Sequence, residues 1–299
     1  MKTLITILLG VVTSGLFAHP GHEALQTVPA PTTIPEVTVT VEGTKRVIRA
    51  NGIPDHATGR FPGRGNPNKI AAQRYEFSVP VTPQRAGKTT PLGMSPFGVA
   101  VNGVVFDPGA NEWWNDDRST GWQYEALGGG RNLGIDPEHA HVQPNGAYHY
   151  HGMPGALLTR LTGGKNQMVL VGWAADGFPI YGQWIPTDAN DVTSALKRAK
   201  PSYRVKAGNR PDGPGGAHDG KFGKDWEYVA GTGDLDECNG RTGKTPEFPT
   251  GTYYYVLTDD YPFVSRLWRG TPDASFIRRG PPPGGGPDGG KGKKQKRAP

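Results

Sequence analysis

The sequence predicts a single, mainly β domain of short antiparallel strands in a sandwich-like arrangement, with long Gly/Pro-rich loops and one or two short helices. Three observations predict it. The apolar runs are short and rich in β-branched and aromatic residues. The 45 glycines and 29 prolines of the 299-residue chain follow no collagen period and interrupt long helices throughout. And Val37-Thr38-Val39-Thr40-Val41 alternates with period two, the pattern of a half-buried strand.

Residues 1–18 read as a secretory signal: Lys2 supplies the positive start, and a short apolar run leads to Ser14-Gly15-Leu16-Phe17-Ala18. That run is too short to span a bilayer. An exported protein is expected, secreted or periplasmic, with no transmembrane segment after cleavage. A cut after Ala18 would leave His19 at the terminus, where amine and imidazole together can chelate copper; a weakly binding free terminus is the simpler reading. A linker over 19–33 then leads into a domain over 34–280. Its strand candidates are 36–49, 75–81, 98–106, 168–173 and 251–257. Turn clusters such as Asp107-Pro108-Gly109 and Asp176-Gly177-Phe178-Pro179 separate them. Only 156–161 and 192–200 suit a short helix. Residues 281–299 are Pro, Gly, Lys and Arg with almost nothing to bury, a composition that predicts disorder. Lys291, Lys293, Lys294, Lys296 and Arg297 against Asp288 give this tail +4 of the chain's +6. The basic character thus belongs to the tail, which suits anionic polysaccharide or another envelope polymer, although a solvated tail needs no partner. No basic-aromatic groove, helix-turn-helix or zinc-finger spacing favours nucleic acid.

The strongest chemical signal is histidine. Of eight histidines, four lie in Glu138-His139-Ala140-His141-Val142-Gln143-Pro144-Asn145-Gly146-Ala147-Tyr148-His149-Tyr150-His151-Gly152. Pro144-Asn145-Gly146 suits a three-residue hairpin loop with glycine in the left-handed position. That loop pairs Gln143 with Ala147, His141 with His149, and His139 with His151. The four imidazoles are then expected on one face, while Ala140, Val142, Tyr148 and Tyr150 form the face to bury. Directly opposed Cβ atoms lie about 5 Å apart, within reach of one metal ion. Any single strand histidine is more often a packing residue, but packing does not call for four together. His139, His141, His149 and His151 therefore point to zinc or copper, with copper favoured because all-nitrogen donor sets and extracytoplasmic supply both suit it. A metal-dependent enzyme of this kind would use three histidines and an open position for water, the fourth imidazole serving as proton shuttle.

Other candidate chemistry is weaker. Cys238, the only cysteine, excludes an internal disulfide and reads first as a buried small side chain. Asp236 and Glu237 could ligate calcium or orient imidazoles, but their spacing does not match a calcium loop, and a tight Asx turn accounts for them as well. Asp136 and Glu138 could accept protons from the histidines. His218 beside Asp219 reads as a loop histidine. No Gly-x-Ser-x-Gly elbow, His-Glu-x-x-His, P-loop or dinucleotide fingerprint is present.

Tyr148-His149-Tyr150-His151, in the context Asn145 to Gly152, resembles the signature of the YHYH-domain family. Similar segments are Gly98 to Phe106, Gly172-Trp173-Ala174-Ala175-Asp176-Gly177-Phe178-Pro179-Ile180-Tyr181-Gly182, Leu235 to Gly240, and Thr245 to Val256. The resemblance runs from about Tyr75 to Arg269 and implies an exported bacterial protein of largely unassigned biochemistry. Relatives often carry a histidine where this chain has Tyr254, so a fifth ligand there would be absent or a phenol. Against the metal-binding reading stands a second one: a cell-envelope or polysaccharide-binding module, its seven tryptophans and basic tail engaging sugar and its histidines structural.

Overall fold

The computed structural model describes residues 27–277. The signal over 1–18, most of the 19–33 linker and the 281–299 tail lie outside the described residues. Within the linker range, Thr27–Val28 pairs with Thr58–Gly59.

Eight short strands form one mixed sheet. Their spatial order is Ala140–Val142, Tyr148–Tyr150, Val105–Phe106, Gly98–Ala100, Leu170–Ala174, Pro179–Tyr181, Thr252–Val256 and Gly240–Gly243. Two neighbouring pairs are parallel, Tyr148–Tyr150 with Val105–Phe106 and Pro179–Tyr181 with Thr252–Val256; the others are antiparallel. A second, three-stranded sheet contains Val37–Glu42, Lys45–Ala50 and Tyr75–Pro80. Ile48, Phe77 and Val79 from this sheet share one core with Val99, Phe106, Tyr150, Val171 and Ile180 from the larger one. The expected mainly β, sandwich-like class is the observed one.

Two expected strands are hairpins. The 36–49 run folds back at Gly43, whose φ of 62° suits glycine, and pairs Glu42 with Lys45. The 98–106 run turns at Asn102-Gly103 and pairs Val99 with Val105. Two expectations fail. Val37–Glu42 is a strand but not a half-buried one: every residue is exposed, Val41 at 62%. It is the edge of the small sheet, and the next strand supplies the core residues Val47 and Ile48. Residues 192–200 form no helix. Leu196–Arg198 pairs with Trp184–Pro186, Arg198 lies over the Trp184 ring, 5.4 Å from its centroid, and Lys197 bonds Asp234. Long-range pairing overrides local helix propensity there.

The expected helix at 156–161 is observed as Gly155–Thr162, ending at Gly163 with φ 61°. Its first turn is tied to the hairpin by Ala156 N–H donating to Glu138 Oε2 at 2.6 Å. Trp122 and Trp268 are buried and the other five tryptophans are half-buried. No helix among the described residues is long and apolar enough to cross a membrane.

Candidate metal centre

The hairpin forms with the expected loop. Gly146 has φ 86°, Gln143 N–H donates to the Ala147 carbonyl at 2.9 Å, and a Cβ on Gly146 would lie 2.5 Å from that of Ala71. His141 stands opposite His149, Ala140 opposite Tyr150 and Val142 opposite Tyr148. Ala140, Val142, Tyr148 and Tyr150 are buried on the far face. Both tyrosines are anchored there. Tyr148 donates to Asp136 Oδ2 at 2.7 Å, while the Tyr150 hydroxyl lies 2.6 Å from His56 Nε2 and accepts from Asn102 at 2.9 Å.

On the near face three imidazoles form a compact triangle. Ring centroids are 4.6 Å apart for His141–His149, 4.6 Å for His141–His151 and 4.8 Å for His149–His151. One ligand atom from each lies within 4.8 Å of the others. Nitrogens on one tetrahedral ion lie about 3.3 Å apart, so small rotations let the three rings hold a single metal ion. His149 and His151 are buried, and His141 is half-buried.

The tautomers are set by the main chain. His141 Nδ1–H donates to the Leu133 carbonyl at 2.8 Å, and His149 Nδ1–H donates to the Ala147 carbonyl at 3.1 Å. A carbonyl can only accept, so each ring carries its lone pair on Nε2, the arrangement metal-ligating histidines use. His151 differs: neither ring nitrogen makes a hydrogen bond and both are buried. The Pro108 carbonyl is close enough to favour its protonated form slightly but not bonded to it. Burial, then the neighbouring His141 and His149, and then Arg266 hold His151 far below its ordinary pKa. Burial, reinforced by His149, pushes His141 down to about 3. Both shifts favour the neutral imidazole, the form that binds metal.

His139 is not part of this group, contrary to the expected patch of four. Its backbone does pair as expected, with His151 N–H donating to the His139 carbonyl at 2.7 Å. But His139 sits at φ 52°, in a tight turn closed by its N–H to the Asp136 carbonyl. Left-handed backbone breaks the strand alternation that the expectation relied on. Its ring instead meets the Met153 carbonyl through Nδ1 at 2.9 Å and lines a pocket beside the helix. The role of proton shuttle imagined for the fourth imidazole has no support in this arrangement.

Asp136 and Glu138 do not orient the triad either. Asp136 Oδ1 accepts from Glu138 N–H and Ala140 N–H, and its Oδ2 accepts from Gly59 N–H and Tyr148, so it braces the turn. Asp236 accepts from the Cys238 and Gly240 N–H groups and from Tyr253, an Asx turn and not a ligand cluster. Cys238 is buried, and burial pushes its thiol well above the ordinary range. His218 bonds the Gly208 carbonyl in its own loop. Tyr254 lies on a strand five places from Tyr148–Tyr150 in the sheet, roughly 24 Å away at strand spacing, and bonds Arg241.

The residues that sequence reading missed come from other segments. Asp107 is buried, accepts from Gln143 at 2.8 Å and exerts a weak attraction on protonated His141. Behind His151, Arg266 holds both Glu125 carboxylate oxygens at 2.7 Å. A cleft of about 510 Å³, lined in part by His141, His149, Met94, Glu112 and Arg118, opens onto the triangle. Asp107 carries no signal of its own in a turn cluster, and the Leu133 carbonyl has none in any sequence.

The family model described as YHYH protein matches residues 76–270, which include the hairpin, the helix and most of the residues that line the cleft. Comparison with curated proteins and with solved structures finds no match. With Tyr148-His149-Tyr150-His151 carrying two of the three imidazoles, the chain belongs to the YHYH protein family.

Proposed function

We propose that this is an exported metal-binding protein whose His141, His149 and His151 hold one Cu(II) or Zn(II) ion, with a coordination position open toward the cleft. One observation carries the reading: His151 buries two polar nitrogens without a hydrogen bond, beside two imidazoles whose Nδ1 protons are already taken by carbonyls. A buried unpaired polar group costs about 1–3 kcal/mol, and a shared ion removes that cost for the nitrogen that ligates it. The rival reading of structural histidines would require His151 to have a partner. A zinc ion here would supply a Lewis acid or an acidified water, and copper would supply one-electron chemistry. The chain's own contribution is a dry floor, fixed tautomers and a cleft large enough for a small substrate. Export rests on the signal-like residues 1–18. The test is elemental analysis of protein produced with its native N-terminal segment and without a polyhistidine tag. About one copper or zinc per chain is expected, lost in a His149→Ala, His151→Ala variant. Unchanged stoichiometry in that variant rejects the proposal.

A further inference from the structure

We infer that the pocket beside the helix Gly155–Thr162, into which His139 is diverted, binds a neutral sugar ring stacked on Trp184. The pocket has a volume of about 320 Å³, within the range of small-molecule sites, and lies apart from the cleft that serves the three-histidine triangle. Four observations meet in it.

His139 adopts a left-handed backbone, φ 52°, which residues with a side chain rarely adopt. Backbone strain of this kind is characteristically retained where it places a functional group. Here it takes the imidazole off the triangle's face and into the pocket, and the Met153 carbonyl fixes the ring through Nδ1. Next, Trp184 is half-buried in the lining, and the Arg198 guanidinium lies 5.4 Å from its ring centroid. Arg198 braces the indole, and Trp184 gives the pocket wall an amphipathic ring on which a ligand can stack. Third, Asp259 and Gln183 meet at the rim. Asp259 accepts from Arg198 at 2.7 Å, and the Gln183 amide, in the orientation that satisfies both its groups, donates to Asp259 at 2.9 Å. Fourth, the only carboxylate in the lining, Asp259, is already paired with Arg198, and the remaining polar side chains are mostly uncharged amides and hydroxyls, which suits an uncharged ligand.

An aromatic face, side-chain amides, a carboxylate already oriented by its own partners and a fixed imidazole suit a pyranose. Its C–H face lies on the indole while its hydroxyls exchange hydrogen bonds with Gln183, Asn166 and His139. A flat apolar ligand would exchange no hydrogen bonds with these side chains, whereas a sugar hydroxyl can both donate and accept.

The test is a panel of neutral oligosaccharides (gluco-, xylo-, chito- and malto-series) titrated into the full-length protein, followed by tryptophan fluorescence and calorimetry. At least one series is expected to bind with 1:1 stoichiometry, equally in chelator-treated protein, since the pocket does not use the triangle. Trp184→Ala is expected to weaken it about tenfold or more, Trp184→Phe by no more than about threefold, and His139→Ala by an intermediate amount. Trp113→Ala, a tryptophan that does not line the pocket, leaves it unchanged. The phenylalanine variant keeps an aromatic face, so its retention of binding separates lost stacking from lost fold. Binding by no series, or equal binding by Trp184→Ala, overturns the inference.

Discussion

Replacing His151 by leucine is expected to stabilise the metal-free protein while abolishing its stabilisation by metal. In the fold His151 is fully buried, with both ring nitrogens unpartnered. Each such group costs about 1–3 kcal/mol relative to one that is paired. Leucine has nearly the same volume and no polar atom, so it relieves that cost without opening a cavity. Allowing for the nearby Pro108 carbonyl, the net gain is about 1–3 kcal/mol, or roughly 3–10 °C in Tm for a domain of this size. With metal the sign reverses. At a metal concentration one hundred times Kd, the native protein gains ~2.7 kcal/mol, whereas the variant retains only two of three donors. Thermal melts followed by circular dichroism, in chelator and then with excess zinc or copper, measure both effects. The reasoning is refuted if the variant is less stable than the native protein in chelator and still gains the same Tm on adding metal.

Three further outcomes follow from single contacts. Burial raises Asp176 from 3.8 to about 6. The folded state thus holds the proton more tightly than the unfolded one, so its contribution is fully present below pH 3.8 and lost as pH rises through 6. Asp176→Asn is therefore expected to match the native protein near pH 3.5 and to exceed its stability by up to ~3 kcal/mol at pH 7.5, less whatever the weaker amide acceptor forfeits toward Tyr255 and Gly270; a gap that does not grow with pH in urea melts rejects this. Tyr148→Phe leaves the buried Asp136 one donor short and is expected to cost about 1–3 kcal/mol in denaturant melts, with Trp fluorescence as readout. Gly146→Ala meets both a left-handed backbone and the Ala71 Cβ, so a loss above about 1 kcal/mol is expected, together with weaker metal affinity as the His141–His149 register loosens. Native affinity by competition with a chromogenic chelator would separate that register from the site.

The mainly β class, the hairpin and its loop, the pairing of His141 with His149, and the buried face of Ala140, Val142, Tyr148 and Tyr150 were all legible in the amino-acid order. Each depends on neighbours within a few residues: side chains alternate along a strand, and Pro-Asn-Gly has few ways to turn. What tertiary structure decided lies one step further away in the chain. The close approach of the His139 side chain to Gly152 accompanies a left-handed turn that removes one imidazole from the group. The Leu133 carbonyl, Asp107 and Arg266 reach the site from separate segments, and no local pattern marks them. The helix expected at 192–200 was lost for the same reason, because its partner strand lies across a loop. Spacing along the chain determined which residues could gather on a face; only the folded backbone determined which ones do, since a single positive φ reverses the direction of a side chain.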